Sequence, residues 1–152
     1  MFNFFFLFPG VHSIRRADVL TRAAFWVQQK VPYSMSAYHT DGHGKNYRTD
    51  CSGYVSMAWA LSSSLTTVTL PGVSHSITKN DLKAGDILCK CGPNTGGAGG
   101  HVLIFEKWAN EAHTSYWAYE QHGSHVTDHR IVPYPYFSDN SYLPRRYNNI
   151  QD

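Results

Sequence analysis

Apolar residues recur at helical spacing in the first part of the chain, between Ser13 and Pro32. Serine can cap the N-terminus of a helix, and proline ends one. The apolar positions between them are Val19, Ala23, Trp26 and Val27. Residues three or four positions apart share one face of a helix, and this face can pack on a core. The pattern predicts a first helix, capped by Ser13, with Trp26 in the core.

A second helical pattern begins at Cys51. Its face consists of Cys51, Val55, Ala58, Trp59 and Ser62. The pattern predicts a helix that runs to about Leu61 and turns Cys51 toward the interior. The unpaired N–H groups and the dipole of a helix N-terminus favour negative charge, which suits a thiolate at Cys51. A buried cysteine can equally be an inert core residue, and the helix alone does not decide between the two.

The second half of the chain has the shorter apolar and aromatic runs that are typical of strands. The predicted strands are 87–89, 101–108, 115–122 and, at an edge of the sheet, 142–147. Residues 40–46 and 91–100 are rich in glycine, which predicts loops. We expect one domain, residues 14–152, of the α+β class, in which N-terminal helices pack on an antiparallel sheet.

The predicted hairpin of 101–108 and 115–122 brings polar residues together. Facing residues of an antiparallel pair have position numbers with a constant sum. A turn centred between residues 110 and 111 pairs His101 with Glu120, and a centre one residue further along pairs it with His122. Glu120 and His122 share a face because side chains alternate along a strand. Either register therefore places a polar partner beside His101.

Composition limits the class of protein. The chain has 152 residues, 42% of them apolar, with a net charge of +2. It lacks the basic surface that nucleic-acid binding usually requires, and no apolar run reaches the ~20 residues of a membrane span. We expect a monomer without cofactor or metal. A zinc set drawn from Cys89, Cys91, His101 and His113 is disfavoured, because it would take His101 away from acid–base chemistry.

The N-terminus resembles a secretory signal. Residues 1–10 are strongly apolar, and Val11 and Ser13 are small enough for a cleavage site after Ser13, although no positive residue precedes the apolar run. Residues 1–13 are therefore interpreted as a signal segment or as an apolar arm, and we expect a secreted, extracellular protein. With Cys51 kept as a free thiol, Cys89 and Cys91 can pair as a short Cys-x-Cys bridge.

Together these residues suggest a hydrolytic mechanism. Cys51 would attack a carbonyl, and His101 would take its proton and later protonate the leaving amine. Glu120, or alternatively His122, would hold the imidazole in the required tautomer. Backbone N–H groups at the start of the Cys51 helix would bind the oxyanion.

Three sequence blocks, 50–55, 82–88 and 101–105, resemble the NlpC-type cell-wall peptidases of the papain-like superfamily. The Asp50-Cys51-Ser52-Gly53 motif is the most specific part of this resemblance. The resemblance implies a papain-like fold and hydrolysis of amide bonds in bacterial peptidoglycan stem peptides, commonly between D-glutamate and a diamino acid. It also implies that Asp50 and Ser52 help to hold the substrate and that Tyr33 contacts the oxyanion.

The chain departs from the NlpC pattern at two places. The family often has two glycines soon after the tyrosine. Here residues 34–38 have none and the loop to Cys51 is longer, so Tyr38 or Tyr47 can take the role of Tyr33 instead. The family's third catalytic residue is commonly a histidine on the next strand. Here that region resembles the related CHAP amidases, which favours Glu120 and leaves His122 as the alternative.

Other functions fit the same residues. The fold and triad would also serve an N-acetylmuramoyl-L-alanine amidase or an acyltransferase, because a thioester can pass its acyl group to water or to another nucleophile. A non-catalytic wall-binding module that presents its tyrosines is a further alternative. The bond that is cut distinguishes the enzymes, and the reactivity of Cys51 distinguishes them from the binding module.

Overall fold

The structure, a computed structural model, describes residues 12–152. Most of the expected signal segment, residues 1–11, lies outside the described residues. The fold is α+β, as predicted, with two α-helices and mostly antiparallel strands among the described residues. In chain order the elements are β1 (Ile14–Arg15), α1 (Arg16–Gln28), β2 (Tyr38–Thr40), β3 (Asn46–Arg48), α2 (Cys51–Ala58), β4 (Ser74–Ser76), β5 (Ile87–Lys90), β6 (His101–Trp108), β7 (Ser115–Glu120), β8 (Asp128–Pro133), β9 (Leu143–Tyr147) and β10 (Ile150–Gln151).

The first helix begins later than predicted. Its N-cap is Arg15, which makes no side-chain capping bond, so the prediction of a Ser13 cap is wrong. The physical reason is that β1 pairs in parallel with β10 and keeps the chain extended up to Arg15. The core position of Trp26 is confirmed, since its side chain is fully buried and its indole N–H donates to the Thr40 carbonyl at 2.9 Å.

The main sheet has six strands in the order β4-β9-β5-β6-β7-β8, and all neighbours are antiparallel. The predicted strand near 142–147 exists as β9, but its predicted place at an edge is wrong. It lies between β4 and β5, because the three-residue strand β4 covers its other side. A strand as short as β4 has no recognisable apolar pattern, so the sequence does not predict it.

The hairpin of β6 and β7 adopts, next to His101, the register that was predicted to pair His101 with His122. Ile104 faces Tyr119, and a bulge between Phe105 and Lys107 shifts the pairing by one residue toward the turn. If the pairing of Ile104 with Tyr119 is continued along the two strands, His101 faces position 122 and not position 120. Strand β7 ends at Glu120, so His122 lies outside the ladder.

Helix α2 is shorter and more deeply buried than its pattern indicated. It ends at Ala58 instead of Leu61, and all eight of its residues are buried, so it has no solvent face. It packs against α1, against β3 and against β6 of the sheet. Ser62, which continues the helical spacing of this face, lies outside the helix and is exposed.

The sheet is covered on both faces. Val102 and Ile104 point toward the helices, whereas Leu103 and Phe105 point to a second cluster with Tyr116 on the opposite face. The predicted loop at 40–46 is the turn of a small hairpin, in which β2 pairs with β3.

Among the residues that the structure describes, no helix has the length and apolar character needed to cross a membrane.

Candidate active site

The position of Cys51 is set by a capped helix start. Asp50 is the N-cap, and its Oδ1 accepts from the Gly53 backbone N–H at 2.9 Å. The first donor inside the helix is the N–H of Tyr54, which bonds to the Asp50 carbonyl at 2.9 Å. The N–H groups of Cys51 and Ser52 therefore have no acceptor within the helix and are suited to bind a negative charge.

The glycine of the Asp-Cys-Ser-Gly motif is required by a close backbone approach. A Cβ at Gly53 would lie 1.9 Å from the Arg48 carbonyl oxygen, which is far inside van der Waals contact. Because backbone atoms cannot move aside as a flexible side chain can, any larger residue would displace the β3–α2 connection. Gly53 thus lets strand β3 deliver the chain directly into the helix that carries Cys51.

The cap is held by Arg48. Its Nε donates to Asp50 Oδ2 at 2.7 Å, and its Nη2 donates to Ser52 Oγ at 3.1 Å and to the Leu65 carbonyl at 2.7 Å. Both carboxylate oxygens of Asp50 are therefore already bonded within the chain. The predicted substrate contacts of Asp50 and Ser52 compete with Arg48, which sequence reasoning did not identify.

We expect Asp50→Ala to destabilise the fold by about 1–2 kcal/mol, because the helix loses its N-cap and Arg48 loses an ionic partner. Asp50→Asn is the matched variant: it can still cap Gly53 but removes the charge, and it should cost less. Urea denaturation of the two variants and the wild type measures both differences. Equal stability of Asp50→Ala and wild type would contradict this account of the helix start.

His101 and Glu120 are in direct contact. His101 begins β6, Glu120 ends β7, and the imidazole Nε2–H donates to Glu120 Oε2 at 2.6 Å. The observed register places Glu120 diagonally to His101, yet the two side chains share a face and meet. This contact leaves Nδ1 as the ring nitrogen available to Cys51.

Glu120 is held by two further side chains that the sequence analysis missed. Arg130 Nε donates to Glu120 Oε1 at 2.8 Å, and the Tyr136 hydroxyl donates to Glu120 Oε2 at 2.6 Å. Arg130 lies on β8, and Tyr136 lies in the Pro- and Tyr-rich segment that follows it. The only sequence signal was the tyrosine content of this segment, which gives no indication of the strand that it faces.

The charges of this network favour an ion pair. Burial lowers the pKa of His101, but hydrogen bonds to Cys51 and Glu120 outweigh it and raise the pKa to about 9. Burial raises the pKa of Glu120, but His101, Tyr136 and Arg130 outweigh it and lower the pKa to about 2. At neutral pH the site therefore holds an imidazolium between the Glu120 carboxylate and the sulfur of Cys51.

A pocket of about 210 Å³ opens beside Cys51, and Tyr33, Arg48, Asp50 and Ser52 contribute to its lining. Burial, followed by the negative charges of Cys51 and Asp50, raises the pKa of Tyr33, so its hydroxyl stays protonated and can donate.

The other two tyrosines considered for this role are placed elsewhere. Tyr38 is exposed on β2, and Tyr47 is buried with its hydroxyl donating to the Leu61 carbonyl at 2.6 Å. Of the three, Tyr33 is therefore the one that lines the Cys51 pocket.

The remaining candidates lie apart from this constellation. The hydrogen-bond partner of His122 is not His101 but Asp128, whose Oδ2 lies 2.8 Å from His122 Nε2. Cys89 and Cys91 form a disulfide, and Cys51 is the free cysteine. His113 stacks on Trp108. The disfavoured zinc set of Cys89, Cys91, His101 and His113 is thus not assembled.

Comparison with known proteins adds no assignment. No family model matches the chain, and no curated protein matches it.

Proposed function

We propose that this protein is an NlpC-type cysteine hydrolase with a papain-like arrangement, which cleaves amide bonds in the stem peptides of bacterial peptidoglycan. The observation that carries the proposal is the row of Cys51, His101 and Glu120, in which Cys51 and Glu120 are buried and His101 is partly buried. A thiol at a helix start, an imidazole beside it and a carboxylate behind the imidazole are the groups that acyl transfer requires.

In the proposed reaction the sulfur of Cys51 attacks the substrate carbonyl carbon. The oxyanion accepts hydrogen bonds from the N–H of Cys51 and from the Tyr33 hydroxyl. Nδ1–H of His101 then protonates the nitrogen of the leaving amine, and the C–N bond breaks to give a thioester. Neutral His101 next takes a proton from water, which attacks the thioester and releases the acid and the thiolate.

Glu120 serves this reaction without touching the substrate. Its Oε2 accepts from Nε2–H of His101 and so keeps Nδ1 directed at Cys51. Its negative charge stabilises the imidazolium that protonates the leaving amine. Arg130 and Tyr136 fix the carboxylate in turn, which limits the motion of the imidazole.

The disulfide supports the proposal that the protein is exported. Disulfides persist in oxidising compartments, where peptidoglycan is also found, and are rare in the cytosol. The apolar residues 1–10 support export independently of the disulfide.

The proposal is tested with purified peptidoglycan and two chemical readouts. Amide cleavage creates new amino groups, whereas cleavage of the glycan strands creates new reducing ends. We expect the wild type to release amino groups only, and we expect wild type alkylated at Cys51 with iodoacetamide to release none. New reducing ends, or full activity after alkylation, would overturn the proposal.

A further inference from the structure

Three metal-binding side chains converge just beyond the end of β7. The ligand atoms of His122, His125 and Asp128 all lie within 4.8 Å of one another. His122 Nε2 is 2.8 Å from Asp128 Oδ2, and the imidazole rings of His122 and His125 are 4.1 Å apart between centroids. The site described above uses none of these groups.

The backbone brings the two histidines together. The N–H of His125 donates to the carbonyl of His122 at 3.3 Å, so residues 122–125 form a tight turn. Asp128 then begins β8 and returns toward His122. The three ligands therefore come from seven consecutive residues and do not depend on a distant part of the fold.

The donor set indicates the kind of ion. Two imidazoles and one carboxylate suit zinc and related transition metals, whereas magnesium and calcium take oxygen ligands. Zinc bonds of ~2.0–2.2 Å place tetrahedral ligand atoms about 3.3–3.6 Å apart, so closure from within 4.8 Å needs a shift of at most about 1.5 Å. His125 is exposed and can make that shift. Three protein ligands would leave one zinc position for water or another ligand.

The turn is attached to the segment that carries Tyr33. The N–H of Tyr33 donates to the His125 carbonyl at 3.0 Å, and the N–H of Thr127 donates to the Val31 carbonyl at 2.9 Å. Pro32 and Val126 form a bridge between these two bonds. An ion held by the turn would therefore stabilise the wall of the Cys51 pocket to which Tyr33 belongs.

We propose that His122, His125 and Asp128 form a zinc site in the turn that is hydrogen-bonded to the Tyr33 segment. The ion takes the place of the hydrogen bond between His122 Nε2 and Asp128 Oδ2. A neutral His122 then carries its proton on Nδ1, whereas a protonated His122 releases one proton to the solvent. This inference concerns metal binding and does not depend on the proposed hydrolysis. It differs from the sequence-based expectation that the chain holds no metal.

The test is calorimetric titration of untagged full-length protein with zinc chloride. All proteins carry Cys51→Ala, because a thiolate beside His101 could itself bind zinc. His125→Ala removes one ligand from the surface, and Asp128→Asn removes another while keeping its size. His43→Ala is the matched control, since His43 is exposed in the turn between β2 and β3.

We expect one zinc ion per chain, with affinity at least about tenfold lower in both His125→Ala and Asp128→Asn and unchanged in His43→Ala. We also expect zinc, but not magnesium, to raise the melting temperature. Absence of stoichiometric binding in the parent protein would overturn the proposal. So would equal affinity in the parent and both ligand variants.

Discussion

Glu120→Ala is expected to destabilise the fold by about 3–5 kcal/mol and to reduce hydrolysis of the substrate strongly. The Glu120 side chain is fully buried, and its carboxylate accepts from His101, Arg130 and Tyr136. Removal of one member of a buried ionic network leaves its partners charged without compensation, which costs about this much. The same change frees the imidazole to rotate away from Cys51.

Two further variants separate stability from catalysis. Tyr136→Phe removes one hydrogen bond to Glu120 and keeps the ring, so it should cost about 1 kcal/mol and lower activity only modestly. Glu120→Gln keeps the size of the side chain but removes its charge, and its loss should lie between the other two. Guanidinium denaturation and initial rates give both quantities. If Glu120→Ala were as stable as Tyr136→Phe, the network would not have the role assigned to it.

The ion pair of His101 and Glu120 predicts how the stability of the fold depends on pH. The pKa of Glu120 falls from 4.5 to about 2 on folding, so its contribution is complete above pH 4.5 and is lost as the pH falls through about 2. The pKa of His101 rises from 6.5 to about 9, so its contribution is complete below pH 6.5 and is lost as the pH rises through about 9. Much of both shifts comes from the same ion pair, and their energies do not add. The difference in unfolding free energy between wild type and Glu120→Gln should be largest between pH 4.5 and pH 6.5, where both contributions are complete.

His101→Ala is expected to lower hydrolysis by about 10³-fold, because the reaction loses both its general acid and its general base. A second effect needs no substrate. Cys51 loses the His101 side chain to which its sulfur is hydrogen-bonded, so alkylation by iodoacetamide at pH 7 should slow by about tenfold. Both rates are measured on folded protein, which circular dichroism verifies.

The control for this variant is His75→Ala, an exposed histidine on the edge strand β4. It should leave hydrolysis and alkylation unchanged. Unchanged alkylation of Cys51 in His101→Ala would mean that the two residues are not coupled, and the proposed mechanism would fail.

The sequence predicted those features that depend on local pattern. Cys51 at a helix start follows from helical spacing. The contact of His101 with Glu120 follows from the alternation of side chains, and it forms although the observed register does not pair the two residues directly. Arg130 and Tyr136 could not be predicted, because their approach to Glu120 depends on the path of β8 and the following segment across the sheet. The role of Arg48 could not be predicted for a similar reason. Arg48 ends β3, and its side chain bonds to Asp50 and Ser52 at the start of α2.

The two incorrect predictions about the fold, a Ser13 helix cap and an edge position for β9, have the same origin. The pairing of β1 with β10 joins residues more than a hundred positions apart, and it replaced the local capping preference of Ser13. Strand β4 is three residues long, and only its partner β9 makes it a strand. Local pattern carries no information on either pairing.

The central claim is that Cys51 cleaves an amide bond of the bacterial wall. Mass spectrometry of purified peptidoglycan, digested in parallel with wild type and with Cys51→Ala, tests it most directly. We predict new peptide fragments from the wild type alone, with masses that locate the cut between D-glutamate and the diamino acid. Identical fragments from both proteins would remove Cys51 from the mechanism, and no fragments from either protein, across several wall types, would contradict peptidoglycan as the substrate.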